Sequence, residues 1–184
     1  MQTKETMMRV KPFAITLDVG TSLANRTGSW RTLKPVYVDR LPPCNAKCPA
    51  GEQCQAWLFH AQSGNYENAW KQIIEDNPFP AVMGRVCYHT CQGACNRNGI
   101  DEPVGINAVE RFLGDYALEK DWQLPVPAAD TGKRILIVGA GPAGLSAAYQ
   151  LRRLGHAVHV VESAEAAGGM MRYGIPKYRL PREV

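Results

Sequence analysis

The sequence has no apolar run long enough to cross a membrane. The longest, Ile135–Ala140, falls far short of the roughly 18 residues that a span requires. Residues 1–20 lack the basic start, apolar stretch and small-residue cleavage site of a secretory signal, so the chain reads as cytoplasmic. There is no Lys/Arg run and no basic stripe interleaved with aromatics. The balance of 21 Lys+Arg against 17 Asp+Glu, a net charge of +4, gives no reason to expect a nucleic-acid partner. No cysteine precedes Cys44, and there is no internal repeat or low-complexity tract. What the 184 residues do contain is a hydrophobic fraction of 45%, enough for a packed core, and six cysteines. A reducing compartment argues against three structural disulfides among those six.

Composition divides the chain. Residues 1–43, rich in proline and glycine, read as an irregular segment with one short strand at Val36–Val38. Residues 44–122 hold every cysteine and read as helical. Trp57, Leu58 and Ala61 mark a first helix that stops near Gly64. Tyr66, Ala69, Trp70, Ile73 and Ile74 follow the i, i+3, i+4, i+7, i+8 spacing of a buried stripe. Asn77-Pro78-Phe79-Pro80 ends that second helix, because a residue before proline is pushed out of the α region. A third helix is expected from about Ile106 to Lys120, with Ile106, Val109, Leu113 and Ala117 on one face. Residues 123–132 make a linker, and residues 133–184 switch to an α/β pattern.

In that last segment Lys133–Val138 is a short apolar run, expected to be a strand buried on both faces. It leads into Gly139-Ala140-Gly141-Pro142-Ala143-Gly144, then a helical run Leu145–Leu154 stopped by Gly155, then a strand His156–Val161 that ends in Glu162. Gly139 permits a tight turn, Gly141 lets backbone approach a pyrophosphate, and Gly144 lets helix and strand pack closely. The helix N-terminus offers free N–H groups to phosphates. An acid at Glu162 suits a free ribose 2′-OH, hence FAD or NAD over NADP, and the spacing does not separate those two. A glycine-rich turn without a ligand is the bland alternative. Residues 134–184 hold one βαβ unit, where a full dinucleotide domain has two larger halves. The remainder of the sheet is therefore expected from more of the chain or from another polypeptide.

The cysteines fall as Cys44-x3-Cys48-x5-Cys54 and Cys87-x3-Cys91-x3-Cys95. Zinc sites prefer CxxC pairs or wider Cys/His sets, so these gaps fit zinc poorly even with His60 and His89 nearby. The second group misses a CxxxCxxC run by one residue. Structural thiols are the bland reading, and the preferred one for Cys54. For two tight groups, thiolates holding an iron–sulfur cluster fit best. Glu110 falls within the apolar face of the third helix, where an unpaired carboxylate costs several kcal/mol in effective terms. It needs a metal, a donor or a cation such as Arg85, unless the face is rotated slightly from this assignment.

Taken in order, the motifs resemble a known family. They are Cys44-Asn45-Ala46-Lys47-Cys48-Pro49, Gly84-Arg85-Val86-Cys87 with Cys91 and Cys95, Ile106-x3-Glu110-Arg111-Phe112, Val138–Gly144, and Gly168-Gly169-x3-Tyr173-Gly174-Ile175-Pro176. The set is similar to the small subunit of bacterial NADPH-dependent glutamate synthase, the N-terminal part of dihydropyrimidine dehydrogenase and related FAD/iron–sulfur oxidoreductases. The resemblance implies an α-helical iron–sulfur domain followed by the start, βαβ, of an α/β Rossmann-like FAD-binding domain. It implies electrons passing from NAD(P)H to FAD and through 4Fe–4S clusters to a partner subunit or domain. Gly139, Ala140, Gly141, Pro142, Ala143, Gly144 and Glu162 would hold FAD, with Gly169 beside the flavin. One cluster would take Cys48, Cys87, Cys91 and Glu110. A second would take Cys44, Cys95 and two upstream cysteines that this sequence does not contain, so that site is short of two ligands. Cys54 stands where relatives usually carry an aliphatic residue. The NAD(P)H-binding domain lies outside these residues, and no catalytic acid or base is expected. A second reading is a non-catalytic iron–sulfur electron-transfer or docking module for a larger enzyme.

Overall fold

Proline opens two of the helices that lead into the cysteine loops. In the computed structural model, which describes residues 36, 41–125 and 128–184, Pro43 begins α1 (Pro43–Lys47) and Pro80 begins α4 (Pro80–Val86). A first-turn N–H has no partner within the helix, so its absence there costs little. The description below concerns the unit Leu41–Val184. The irregular segment expected over residues 1–43 and its strand at residues 36–38 fall almost wholly outside the described residues.

The expected helices are present. α2 (Cys54–Gln62) ends at Ser63 and Gly64, and α3 (Tyr66–Asp76) buries Ala69, Trp70, Ile73 and Ile74. Asn77, before Pro78, is extended and stops α3. α5 (Thr90–Gly93) and a 3₁₀ turn (Asn96–Gly99) lead to α6 (Ile106–Glu119), which buries Ile106, Glu110, Leu113 and Ala117. Cys54, Trp57, Ala69, Ile73, Cys91, Ile106 and Leu113 make one core, with Cys44 and Cys48 packed against it. Each large apolar side chain in such a core contributes roughly 1.5–3 kcal/mol.

Two glycines bring α4 and α6 into backbone contact. A Cβ on Gly84 would lie 2.4 Å from Arg111 Cα, and one on Gly114 would lie 2.2 Å from Ala81 N. Arg85 then clamps the crossing by a bidentate bond to Asp115, at 2.6 and 2.9 Å. This close approach ties Cys87, which follows α4, to the helix that carries Glu110.

The α/β segment pairs β1 (Arg134–Val138) in parallel with β2 (Ala157–Val161), in register from Arg134↔Ala157 to Val138↔Val161. α7 (Pro142–Arg153) connects them, and α8 (Met170–Tyr173) follows. The expectation that β1 is buried on both faces is corrected. A Cβ on Gly144 of α7 would lie 3.4 Å from Ile137 Cγ2, so that face is covered, whereas Leu136 and Val138 are 62% and 82% exposed. α7 seats on the end of α3: Gln150 Nε2 and Arg153 Nη1 donate to the Glu75 carbonyl at 2.9 and 2.7 Å. Tyr149 packs on the cluster of Trp70, Ile74 and Ala117. Among the described residues no helix is long and apolar enough to cross a membrane.

Candidate metal centre

Cys48 caps the C-terminus of α1 with extended backbone, and Cys87 caps α4 in the same way. Buried Asn45 braces the loop between Cys48 and Cys54: its Nδ2 donates to Gln53 Oε1 at 3.1 Å, and its Oδ1 accepts from the Gln55 N–H at 3.1 Å. Thr90 Oγ1 donates to the Lys47 carbonyl at 2.9 Å, which joins the two cysteine loops. His89, between Cys87 and Cys91, takes a left-handed φ of 58°, and its N–H lies 3.4 Å from Cys87 Sγ.

Cys48, Cys87, Cys91 and Glu110 all line one cavity of about 450 Å³. These are the four residues that the resemblance places on one cluster. Cys44 and Cys95 do not line it: Cys44 Sγ lies 3.7 Å from Asn45 Oδ1 within α1, and Cys95 caps the 3₁₀ turn. Backbone N–H groups of Val104 and then Arg97 lower the Cys95 thiol from its ordinary value. Cys54 does border the cavity. Its sulfur, that of Cys48 and a carboxylate oxygen of Glu52 lie within 4.8 Å of one another.

Glu110 has no arginine. Arg85, a candidate partner on sequence grounds, is engaged by Asp115 instead, and among the described residues no ion pair reaches Glu110 or Glu52. Asn77 bridges the two carboxylates, its Nδ2 donating to Glu52 Oε1 at 2.9 Å and to Glu110 Oε1 at 2.8 Å. Burial pushes both carboxyls above the usual range, Glu110 the further, with the Cys48 charge next for Glu52 and the Glu52 charge next for Glu110. Cys48 is displaced the other way. The Cys54 thiol, then backbone N–H groups of Glu52, Ala50 and Gly51, hold it below an ordinary thiol against the opposing effect of burial. Burial pushes Cys91 up to about 11.

Thiols converging with a buried carboxylate that lacks a cation suit a group that brings positive charge and takes thiolate ligands, and an iron–sulfur cluster meets both conditions. Glu52 and Asn77 were not identified from sequence. Glu52 lies in an unpatterned loop, and Asn77 was visible only as a helix stop.

The raised carboxyls give a sign for pH dependence. A group whose folded pKa is raised stabilises the fold at low pH, and that contribution is lost as pH rises through the folded value. Between about pH 6 and pH 9 the lowered Cys48 thiol acts in the opposite sense, so the carboxyl's part is read by difference in the metal-free chain. Glu110→Gln, uncharged at both, is expected to shift Tm more favourably at about pH 9 than at about pH 6; the same shift at both would assign the effect elsewhere.

Beside this cavity lies the glycine-rich turn. Gly139 has a φ of +100°, and its N–H donates to the Val161 carbonyl at 2.8 Å. A Cβ on Gly144 would fall 2.0 Å from the Gly139 carbonyl oxygen, so helix and turn touch there. Gly141 is open, with Gly169 Cα at 4.0 Å the nearest atom to its missing Cβ. The Gly168 N–H donates to the Ala140 carbonyl at 2.7 Å, which lays the Gly168–Gly169 bend against the turn. The Glu162 carboxylate accepts from the N–H groups of Ala164, Ala140 and Ser163 at 3.0, 2.7 and 2.7 Å, and they hold its carboxyl down at about 2. It is a fixed anion beside the turn. Pro142, Ala143 and Ser146 of α7 also line the cysteine cavity, so the two features share a wall.

Comparison with known proteins agrees with both halves. Residues 38–122 match the family described as dihydropyrimidine dehydrogenase domain II, 4Fe-4S cluster. Residues 137–181 match the NAD(P)-binding Rossmann-like domain. The chain is 43% identical over 138 residues to a glutamate synthase [NADH] of Schizosaccharomyces pombe, covering 74% of the chain and 6% of that protein. It is 38% identical over 138 residues to the glutamate synthase [NADPH] small chain of Bacillus subtilis, covering 74% and 28%. It is also 38% identical over 144 residues to the NAD-dependent dihydropyrimidine dehydrogenase subunit PreT of Salmonella typhimurium, covering 77% and 35%. The chain thus spans about a third or less of the length of these relatives.

Proposed function

As a relative of the glutamate synthase small chains and of the dihydropyrimidine dehydrogenase cluster module, the chain is, we propose, the electron-relay portion of an NAD(P)H-dependent flavin/iron–sulfur oxidoreductase. Cys48, Cys87, Cys91 and Glu110 hold one 4Fe–4S cluster. Cys44 and Cys95 remain as part of a second site whose other ligands this sequence does not supply. The turn Gly139–Gly144, with Glu162 and Gly169, holds FAD. A cluster supplies one-electron transfer, and a flavin supplies exchange between a two-electron hydride and single electrons.

The residues have distinct tasks in this scheme. Cys48 is already biased toward thiolate, so it surrenders its proton readily to a metal. Glu110 supplies an oxygen donor from a rigid helix. The open face of Gly141 and the N–H groups opening α7 receive a pyrophosphate, while Glu162 accepts from ribose hydroxyls. The observation that carries the reading is that Pro142, Ala143 and Ser146 line the cysteine cavity, which supports a metal centre beside a nucleotide turn. The electron acceptor is then a partner subunit or domain, and the NAD(P)H-binding domain lies elsewhere.

Flavin fluorescence on titration with FAD tests the nucleotide half. Saturable binding is expected, and Glu162→Gln should weaken it about tenfold, the equivalent of roughly 1.4 kcal/mol. Binding of NAD without any binding of FAD would redirect the reading to a nicotinamide site.

A further inference from the structure

We propose that Asn77 is a positioning residue that aims Glu110 at the metal by occupying Glu110 Oε1 and leaving Oε2 as the oxygen for a metal. The inference rests on the proposed ligation by Glu110 and deepens it, since it assigns the oxygen and the group that selects it.

Asn77, Glu52 and Glu110 are 5% exposed each, so bulk water does not take over their hydrogen bonding. The Asn77 amide spends its Nδ2 on Glu52 Oε1 at 2.9 Å and Glu110 Oε1 at 2.8 Å, while its Oδ1 accepts the Phe79 N–H at 3.0 Å. Flipping the amide would turn its oxygen against two carboxylate oxygens and its NH₂ against an N–H donor, so one orientation prevails. The backbone is held as well. Asn77 caps α3 with φ −122° and ψ 101°, and Pro78 restricts it to that extended region.

Glu110 is therefore not free to choose its rotamer by solvation. Asn77 donates to Glu110 Oε1, and the bond fixes one oxygen while the side chain borders the cavity. Partners of this kind, behind a metal ligand, set its orientation and basicity, and hydrogen bonding around a cluster shifts its potential. Glu52 takes the amide's other N–H, so a change at Asn77 disturbs both carboxylates together.

A double-substitution cycle on the anaerobically reconstituted chain tests this, read by iron content, the EPR g values of the reduced cluster and its midpoint potential. Asn77→Ala is expected to keep about four irons and to shift both g values and potential. In a Glu110→Ala background, where the three thiolates still hold the cluster and solvent takes the place of the weaker carboxylate ligand, the same substitution should shift neither. Equal shifts in both backgrounds would overturn the proposal, because Asn77 would then act through something other than Glu110. Unchanged g values and potential in Asn77→Ala alone would overturn it as well. Should the alanine variant fail to fold, Asn77→Ser, which has a single hydroxyl donor for two carboxylates, is read against Glu110→Ala by the same criteria. An unsubstituted chain that takes up no iron would overturn the proposed ligand set together with this inference; normal iron with equal shifts would overturn this inference alone.

Discussion

Changing Cys48, Cys87 or Cys91 to serine, one at a time, is expected to lower the iron held by the reconstituted chain from about four per polypeptide to less than about one. Cys44→Ser and Cys95→Ser are expected to leave it near the unsubstituted value. The contrast follows from placement. The first three border the same cavity as Glu110, and the other two do not. Spacing does not predict it, since Cys44 and Cys48 belong to one C-x3-C pair and Cys91 and Cys95 to another. Cys54→Ser belongs with the second class despite its position at the cavity, because its sulfur lies within 4.8 Å of Cys48 Sγ. That separation suits a hydrogen bond to a ligand better than two sulfurs held by different irons of a cubane. Iron analysis with the visible absorption of the cluster reads all six variants.

Gly114→Ala should produce the second large effect, a loss of about 3 kcal/mol or more, at the upper end of overpacking costs. The new methyl would fall 2.2 Å from Ala81 N and 2.7 Å from the Pro80 carbonyl carbon, both backbone atoms that no side-chain rotation can move. α4 and α6 must separate, which displaces Cys87 from Glu110. For a chain of this size the cost corresponds to a fall in Tm of roughly 6–12 °C. Gly93→Ala is the control, with nothing within 4 Å of the added carbon, and should change Tm little. A thermal melt of the metal-free variants checks both, and iron uptake after reconstitution should fall only for Gly114→Ala.

What the sequence disclosed depended on how far each feature repeats along the chain. α2, α3, α6 and α7 are long enough for helical periodicity to register, and their positions agree with the expected ones. α1, α4 and α5, at 5, 7 and 4 residues, are too short to show a periodic face, yet they set the cysteine loops. Glu110 was recognisable because a charge interrupted an apolar stripe. Its surroundings were not, because Asn77 lies 33 residues away and Glu52 reaches it only through that amide. Arg85 was a reasonable counter-ion by composition, but α4 presents it to Asp115, a turn beyond Glu110 on α6. The apolar run of β1 suggested two covered faces, whereas α7 covers only the side of Ile137. The glycine turn was the most legible part, since Gly139 and Gly144 are required by backbone geometry that the sequence pattern encodes directly.

The central claim is that the cavity holds a single iron–sulfur cluster on three thiolates and Glu110. Iron and acid-labile sulfide counted together on the anaerobically reconstituted chain test it most directly. About four of each per chain, with an EPR signal on reduction that changes in Glu110→Ala, is the expected result. One metal ion per chain without sulfide, or a full cluster whose spectrum ignores Glu110→Ala, would contradict it.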